Sequence, residues 1–320
     1  MKTIKALGVN SNLGYCQGSS HWAVHAFIQP ECIASLAQAR LTLDWQQIAS
    51  PSTPTGSPLA TNDNASCERK PPEIELAHIN RCLASKVQKL IAANEKFLVL
   101  GGDHSIAMGT WSGALAACHE RGGGRAQSFG LLWIDAHLDA HNFRSSPSAN
   151  IHGMPLRALL DNNDTRLRRL CPQSGQLRGK YLQLLGIRSF EDREKRFLEE
   201  KQATITYMHE LPRGDCGPAL LRALSILSQR CSHIGISLDI DAIEPRHAPG
   251  VATPEAGGIQ LPSLCKALKQ ASVFNKVVGL EICEYNPAED TQQRTLNALV
   301  QLILAFFSPK PIAAASVGID

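Results

Sequence analysis

Short apolar runs recur along the chain and alternate with longer amphipathic stretches. Runs of this kind between helical patterns are typical of βαβ units and of a parallel sheet covered on both faces. No linker interrupts the alternation, so the sequence predicts one α/β domain over residues 1–320. The predicted strands are Ile4–Val9, Phe97–Leu100, Phe129–Ile134, Leu182–Ile187, Ala203–Tyr207, Ile234–Leu238 and Val277–Glu281, and the amphipathic stretches are Ile74–Asn94, Glu191–Lys201, Ala219–Arg230 and Leu261–Ala271.

Three segments depart from this alternation or could indicate another class of protein. Residues 50–72 are rich in Pro, Ser, Thr and Asn, which predicts a long and partly disordered surface loop. The glycine run 122–124 precedes a strand instead of opening a helix, so it is interpreted as a connector and not as a phosphate loop. The turn after the first strand does not fit GxGxxG, which argues against a dinucleotide-binding oxidoreductase.

Composition excludes several classes of partner. The chain is 43% hydrophobic and 19% charged, and its formal net charge is +3, so it has no concentration of basic charge typical of nucleic-acid binding. The ten cysteines are dispersed without a CxxC pair, which indicates reduced thiols. The apolar stretch Leu296–Phe307 is too short for a bilayer, and no signal peptide is visible. We therefore expect a cytoplasmic protein that binds neither nucleic acid nor membrane.

Polar segments follow four of the predicted strands. In open parallel sheets, ligands bind in the crevice beyond the carboxyl ends of the strands. These segments, although distant in sequence, are therefore expected to meet at one edge of the sheet. They are Gly101–Ser105, Asp135–Asp139, Asp239–Asp241 and Glu281–Glu284.

Carboxylates and imidazoles dominate three of these segments. Four unpaired carboxylates in one cleft would repel one another, and some would have to stay protonated. Two divalent cations balance four negative charges, and six ligands for two ions require bridging aspartates. The mixture of carboxylate and imidazole favours Mn²⁺ or a similar ion over Zn²⁺. The predicted ligands are His104, Asp135, His137, Asp139, Asp239 and Asp241.

The spacing within the segments supports this interpretation. A period of two places Asp135, His137 and Asp139 on one side of an extended chain, and Asp239 and Asp241 show the same spacing. Taken alone, an Asp-x-Asp pair at a strand end is more often a helix cap or a turn. The combination of such pairs after several buried strands argues for a metal site instead.

These segments resemble the arginase/agmatinase (ureohydrolase) family. The resemblance implies a three-layer α/β fold with a mostly parallel sheet of about eight strands and two Mn²⁺ ions per chain. It also implies that Asp135 and Asp239 bridge the two ions. One ion would bind His104, Asp135, Asp139 and Asp239, and the other His137, Asp135, Asp239 and Asp241. The matching motifs are Gly101–Ser105, Asp135–Asp139, Ser237–Asp241, and Ala252–Pro254 followed by Gly257 and Gly258.

Two further segments are more similar to arginases than to agmatinases. In Ser148–Pro155, the resemblance implies that His152 is a proton shuttle. In Glu281–Pro287, it implies that Glu284 pairs with the substrate guanidinium. Asp139 is expected to relay a proton to the leaving amine. Without the metal site, His152 would be interpreted as a core histidine and Glu284 as a partner of a helix N-terminus.

The substrate's amino-acid end is expected to contact a separate set of side chains. The family usually has a small polar residue at position 141, near the substrate carboxylate, and here it is histidine. Glu191 is a candidate for the α-amino group, although it is equally consistent with a helix first-turn charge. The predicted substrate-binding residues are His141, Ser148, Asn150, Glu191 and Thr253.

The resemblance as a whole implies hydrolysis of L-arginine to urea and L-ornithine by a hydroxide that bridges the ions. Two alternatives stay open: a ureohydrolase for agmatine or a guanidino acid, and a non-catalytic metal-binding homologue. A homo-oligomer is also expected from the family.

Overall fold

Parallel strands form one sheet in the computed structural model, which describes residues 1–48, 72–120, 128–161, 163–172 and 175–308. Within those ranges the sheet has eight strands in the order β2-β1-β3-β8-β7-β4-β5-β6, and every pairing is parallel. The strands are β1 Lys2–Val9, β2 Leu41–Ile48, β3 Phe97–Leu100, β4 Phe129–Ile134, β5 Leu182–Ile187, β6 Thr204–Tyr207, β7 His233–Asp239 and β8 Val277–Cys283.

Helices cover both faces of the sheet and give three layers. Helices α1, α2, α8, α9 and α10 pack on one face, and α3 to α7 pack on the other. Their bounds are α1 Ala23–Phe27, α2 Pro30–Gln38, α3 Pro72–Ala92, α4 Ala107–Glu120, α5 Pro155–Leu160, α6 Thr165–Leu170, α7 Asp192–Glu200, α8 Gly217–Arg230, α9 Leu261–Ala271 and α10 Arg294–Phe307.

The central strands show why the sequence contains continuous apolar runs. In β3, Leu98 and Leu100 contribute to the core on one face, whereas Phe97 and Val99 contribute to the core on the other. Successive side chains of a strand point to opposite faces, so a strand covered on both sides must be apolar throughout. The predicted three-layer α/β fold with a parallel sheet is confirmed.

Two elements that were not predicted show how the burial of a segment can hide its type in the sequence. Strand β2 was not predicted, because it lies at the edge of the sheet and includes exposed polar residues. Helix α4 was not predicted either, since it is almost entirely buried and lacks a polar face. By contrast, β3, β4, β5 and α9 have the predicted bounds. The predictions for residues 50–71 and 122–124 lie outside the described residues.

The four strands that end in polar segments are neighbours at the centre of the sheet. Strand β8 lies between β3 and β7, and β4 follows β7. The register aligns Leu100 with Ile282, Ile282 with Leu238, and Leu238 with Ile134. The residues that follow these positions therefore emerge side by side at one carboxyl edge. Among the described helices, none is long and apolar enough to cross a membrane.

Close packing of α3 against α4 depends on a glycine. A Cβ at Gly113 would collide with the backbone of Ala84. We expect Gly113→Ala to lower the free energy of unfolding by about 1–3 kcal/mol through overpacking, although alanine is intrinsically the better helix former. Chemical denaturation measures the change, with Ser85→Ala on the exposed side of α3 as the control. A stabilised Gly113→Ala variant would contradict the packing.

Candidate metal centre and active site

His104 and three aspartates form the first half of a buried cluster. The Nδ1 atom of His104 lies 3.2 Å from Asp135 Oδ2, 3.1 Å from Asp139 Oδ2 and 3.1 Å from Asp239 Oδ2. All four side chains are buried. Their ligand atoms are close enough together to hold one metal ion.

The far side of His104 fixes the orientation of its ring. Nε2 lies 3.0 Å from Ser237 Oγ, and that hydroxyl donates a 2.7 Å hydrogen bond to Glu281 Oε1. The ring also stacks on Trp133 with centroids 4.0 Å apart. Because the Ser237 hydroxyl donates to Glu281, its oxygen accepts from Nε2–H of the imidazole. Nδ1 is therefore the ring atom that faces the three carboxylates, and it would bind a metal ion when the ion replaces the proton there.

His137 forms the second half of the cluster together with Asp241 and Asp135. Its Nδ1 atom lies 3.0 Å from Asp241 Oδ2 and 3.6 Å from Asp135 Oδ1. Asp135 therefore faces both histidines, one with each oxygen. Asp239 Oδ2 lies beside His104, while its Oδ1 accepts a 2.8 Å hydrogen bond from the backbone N–H of Asp241, just as Asp135 Oδ1 accepts one of 2.7 Å from the backbone N–H of His137. The structure thus brings all six predicted ligands together and places Asp135 between the halves.

The charge of this cluster fits divalent cations. Burial, and then the charge of Asp135, raises the pKa of Asp139 to about 6. Burial and the neighbouring Asp241 raise the pKa of Asp239 well above its usual value. Burial lowers the pKa of His104, but the surrounding negative charge and the aspartates raise it by more. Protons are thus needed to neutralise the cluster, and two divalent cations would replace them at a donor set that suits Mn²⁺.

Strained backbone occurs at two of the predicted catalytic residues. Asp139 has φ 47° and Glu284 has φ 66°, both in the left-handed region that non-glycine residues rarely adopt. Such conformations cost on the order of 1–3 kcal/mol and persist only where the surrounding structure enforces them. Their occurrence at this edge is consistent with a functional site.

Glu284 and His152 form a pair next to the first half of the cluster. Glu284 Oε1 lies 3.0 Å from His152 Nδ1 and accepts a 2.8 Å hydrogen bond from the backbone N–H of His104. Burial lowers the pKa of His152, but the hydrogen bond and charge of Glu284 outweigh burial and raise it to about 9. His152 also stacks on Tyr15 with centroids 4.8 Å apart. His152 is therefore held as a proton donor.

A cavity of about 420 Å³ opens onto this cluster. Its wall includes Asp139, Asp239, Asp241, His137 and His152 at the metal end. The five predicted substrate-binding residues also line it, namely His141, Ser148, Asn150, Glu191 and Thr253. Glu284 is not part of the wall and is bound to His152 and to the backbone of His104.

His141 has protein partners at both ring nitrogens. Its Nε2 atom lies 2.9 Å from Glu191 Oε2 and 3.3 Å from Glu194 Oε2, while Nδ1 lies 3.0 Å from Ser145 Oγ. Burial, and then Glu191, raises the pKa of Glu194 to about 8. Glu191 is the N-cap residue of α7, directly before the first turn, and it also lines the cavity.

Several contributors to the site leave only weak signals in the sequence. Trp133 and Ser237 precede the ligands by two residues on β4 and β7, which a period-two pattern could have indicated. Tyr15 lies in the loop after β1 and has no spacing relation to the other site residues, so only the fold shows its role. Thr253 lines the cavity, and its hydroxyl donates a 3.2 Å hydrogen bond to Asp241 Oδ2 that helps to orient this ligand.

The parallel sheet and the carboxylate–imidazole cluster at its carboxyl edge define a candidate metal-dependent hydrolase. A family model described as the arginase family matches residues 35–308. The arginase of Bacillus caldovelox is 34% identical over 235 residues, which cover 73% of this chain and 76% of that protein. The chain belongs to the arginase family and is a ureohydrolase.

Solved structures agree with this assignment. The native structure of arginase from Bacillus caldovelox has a TM-score of 0.80 and 29% identity, and the match covers 98% of this chain and 100% of that chain. The formimidoylglutamase from Bacillus subtilis has a TM-score of 0.70, covering 96% of this chain and 86% of that chain. Because the two chains are only 21% identical, this match shows that they share a fold and shows nothing more.

We expect Ser237→Ala to weaken metal binding about 10–100-fold, because it removes the partner that orients His104. Isothermal titration with Mn²⁺ measures the affinity. Ser225→Ala, at an exposed position on α8, is the matched control and should bind as the wild type does. Unchanged affinity in Ser237→Ala would show that the ring orientation does not depend on this hydroxyl.

Proposed function

We propose that this chain hydrolyses L-arginine to urea and L-ornithine with two Mn²⁺ ions. The observation that carries the proposal is the cluster of six aspartates and histidines at one end of a cavity whose wall also contains His152. The 34% identity to proteins named arginase supports the choice of arginine.

His104, Asp135, Asp139 and Asp239 would hold one ion, and His137, Asp135, Asp239 and Asp241 the other. When bound, the ions would supply an activated water near neutral pH and stabilise negative charge on the reacting group. The net reaction would add one water across the bond between the central guanidinium carbon and the chain nitrogen, which gives urea and an amine.

The chain's own residues would handle the protons. Asp139 lines the cavity, and we assign to its carboxylate the proton transfer from water to the leaving nitrogen. His152 carries a proton on the imidazole next to Glu284 and would exchange it with solvent through the cavity. The Glu284 carboxylate would bind the guanidinium. Because His152 is bound to Oε1 of this carboxylate, the substrate would either share Oε1 with His152 or bind the second carboxylate oxygen.

One observation favours a second candidate, a ureohydrolase for another guanidino compound. Glu191 and Glu194 are already paired with His141 in the cavity wall. A carboxylate that is compensated by a protein group attracts an α-ammonium less strongly. An ω-guanidino acid without an amino group lacks this ammonium, and agmatine keeps the amine but lacks the carboxylate, so both compounds are included in the test.

With Mn²⁺ bound, we expect the largest kcat/KM for arginine in a panel that also contains agmatine, an ω-guanidino acid and N-formimidoylglutamate. Release of urea or formamide identifies the bond that is cleaved. Higher kcat/KM for any other member of the panel would replace arginine as the substrate.

We expect His152→Ala to lower kcat about 10²–10⁴-fold, the range for loss of a general acid–base group. Metal stoichiometry should not change, since His152 is outside the proposed ligand set. Full activity in a metal-loaded His152→Ala variant would exclude the shuttle.

We expect His141→Ala to raise KM for arginine about tenfold, equivalent to about 1.4 kcal/mol of lost binding, because the partner that orients Glu191 is removed. An ω-guanidino acid without the α-amino group does not use Glu191 and should show little change. His119→Ala, on the exposed end of α4, is the control. Equal losses for both substrates would show that His141 does not read the amino-acid end.

A further inference from the structure

Arg188 uses all of its side-chain donors on backbone carbonyls close to the second half of the cluster. A guanidinium has five N–H groups in a fixed plane. Nε donates to Ala256, Nη1 to Gly186 and Ala242, and Nη2 to Asp241 and Glu255, at 2.7–3.3 Å. These five hydrogen bonds account for every donor, so Arg188 has none left for a substrate.

The acceptors belong to three separate segments. Gly186 is in β5, Asp241 and Ala242 are in the turn after β7, and Glu255 and Ala256 are in the loop that also carries Thr253. The backbone of the same region is tied to a fourth segment, because the N–H groups of residues 188 and 189 donate to Ala136 O at 2.9 and 3.0 Å. Ala136 lies between two proposed metal ligands.

The segments that the side chain and backbone of Arg188 join also contact the side chain of Asp241. Asp241 accepts hydrogen bonds from Thr253 Oγ1 at 3.2 Å and from the N–H of Ala136 at 3.3 Å, and it lies 3.0 Å from His137 Nδ1. The Glu255 carboxylate lies 3.7 Å from the other ring nitrogen of His137. These contacts converge on Asp241 and His137, whereas no hydrogen bond of the Arg188 side chain described above reaches the segment that carries His104.

We propose that Arg188 is a positioning residue for the second metal ion, and that it sets the affinity of the site formed by His137 and Asp241. This inference rests on the proposed metal pair. Arg188 acts through the backbone positions that it fixes and not through its charge. A positive charge beside a metal site would by itself repel the ion and lower the affinity of the site.

Two substitutions separate position from charge. Arg188→Lys keeps the positive charge but offers a compact ammonium with three donors, and Arg188→Met removes both charge and donors. If position matters, both variants lose affinity for one ion. If charge dominates, Arg188→Met binds more tightly than the wild type and Arg188→Lys is unchanged.

A matched control exists on α5. Arg157 is also half-buried and binds Asp161 Oδ2 at 3.4 Å, with its guanidinium 3.7 Å from the centroid of the Phe197 ring. Arg157→Met removes a comparable side chain. We expect it to lower the thermal midpoint without changing the affinity for either ion.

The experiment is titration of the chelator-treated full chain with Mn²⁺ alone, followed by calorimetry and by electron paramagnetic resonance. The wild type should bind two ions and show the spectrum of a coupled pair. Both Arg188 variants should bind one ion within about threefold of the wild type and the other about 10–100-fold more weakly, with the spectrum of an isolated ion at intermediate loading. Thermal unfolding of the metal-free chains checks the fold.

The outcomes distinguish this proposal from the proposed function. Two ions bound by both variants with wild-type affinity would overturn the role of Arg188, as would tighter binding by Arg188→Met. A metal-free Arg188→Lys chain that does not fold would also overturn it, since the contacts would then serve the whole fold. A wild type that binds two ions but releases no urea refutes the proposed function and leaves this inference standing, and a wild type that binds fewer than two ions refutes both.

Discussion

Buried negative charge at the carboxyl edge of the sheet is the constraint on which the rest of the site depends. Asp135, Asp139, Asp239 and Asp241 converge there with little exposure to water. Burial and mutual repulsion both oppose ionisation, so the arrangement is stable only with compensating positive charge. Part of that charge comes from His104 and His137, and the arrangement leaves room for cations to supply the rest. Other features of the site are understood as ways of keeping these groups close together.

The protein holds the aspartates and histidines in place largely through contacts outside the cluster. Trp133 donates a 2.8 Å hydrogen bond to Asp135 Oδ2 and stacks on His104, while Ser237 and Glu281 orient the same ring from behind. Arg188 joins the segments around Asp241. These contacts favour one rotamer for each ligand and reduce the entropy that cation binding would otherwise cost. The left-handed backbone at Asp139 is a further cost that such a framework can support.

The cavity has two chemically different ends. At one end, carboxylates and imidazoles are arranged for cations and proton transfer, and the pair of His152 and Glu284 keeps a proton close to the cluster. At the other end, His141 pairs with Glu191 and Glu194 and is itself bound to Ser145. The first end suits the hydrolysis that we propose. We propose that the second end decides which compound fits.

The sequence alone determined the layer architecture, the order of the buried strands and the identity of the six converging acidic and imidazole residues. Each of these leaves a local pattern: apolar runs of strand length, helical periodicity, and polar residues at a spacing of two after a strand. The sequence did not determine the edge strand β2 or the almost uniformly buried helix α4, whose patterns are ambiguous without knowledge of what covers them. Nor did it show that Asp239 spends one oxygen on the backbone of Asp241, that His141 is paired with two glutamates, or that Arg188 binds five carbonyls. These contacts join residues far apart in the chain, and only the tertiary structure decides which atoms meet, because hydrogen bonds depend on distances of a few tenths of an ångström that no spacing rule encodes.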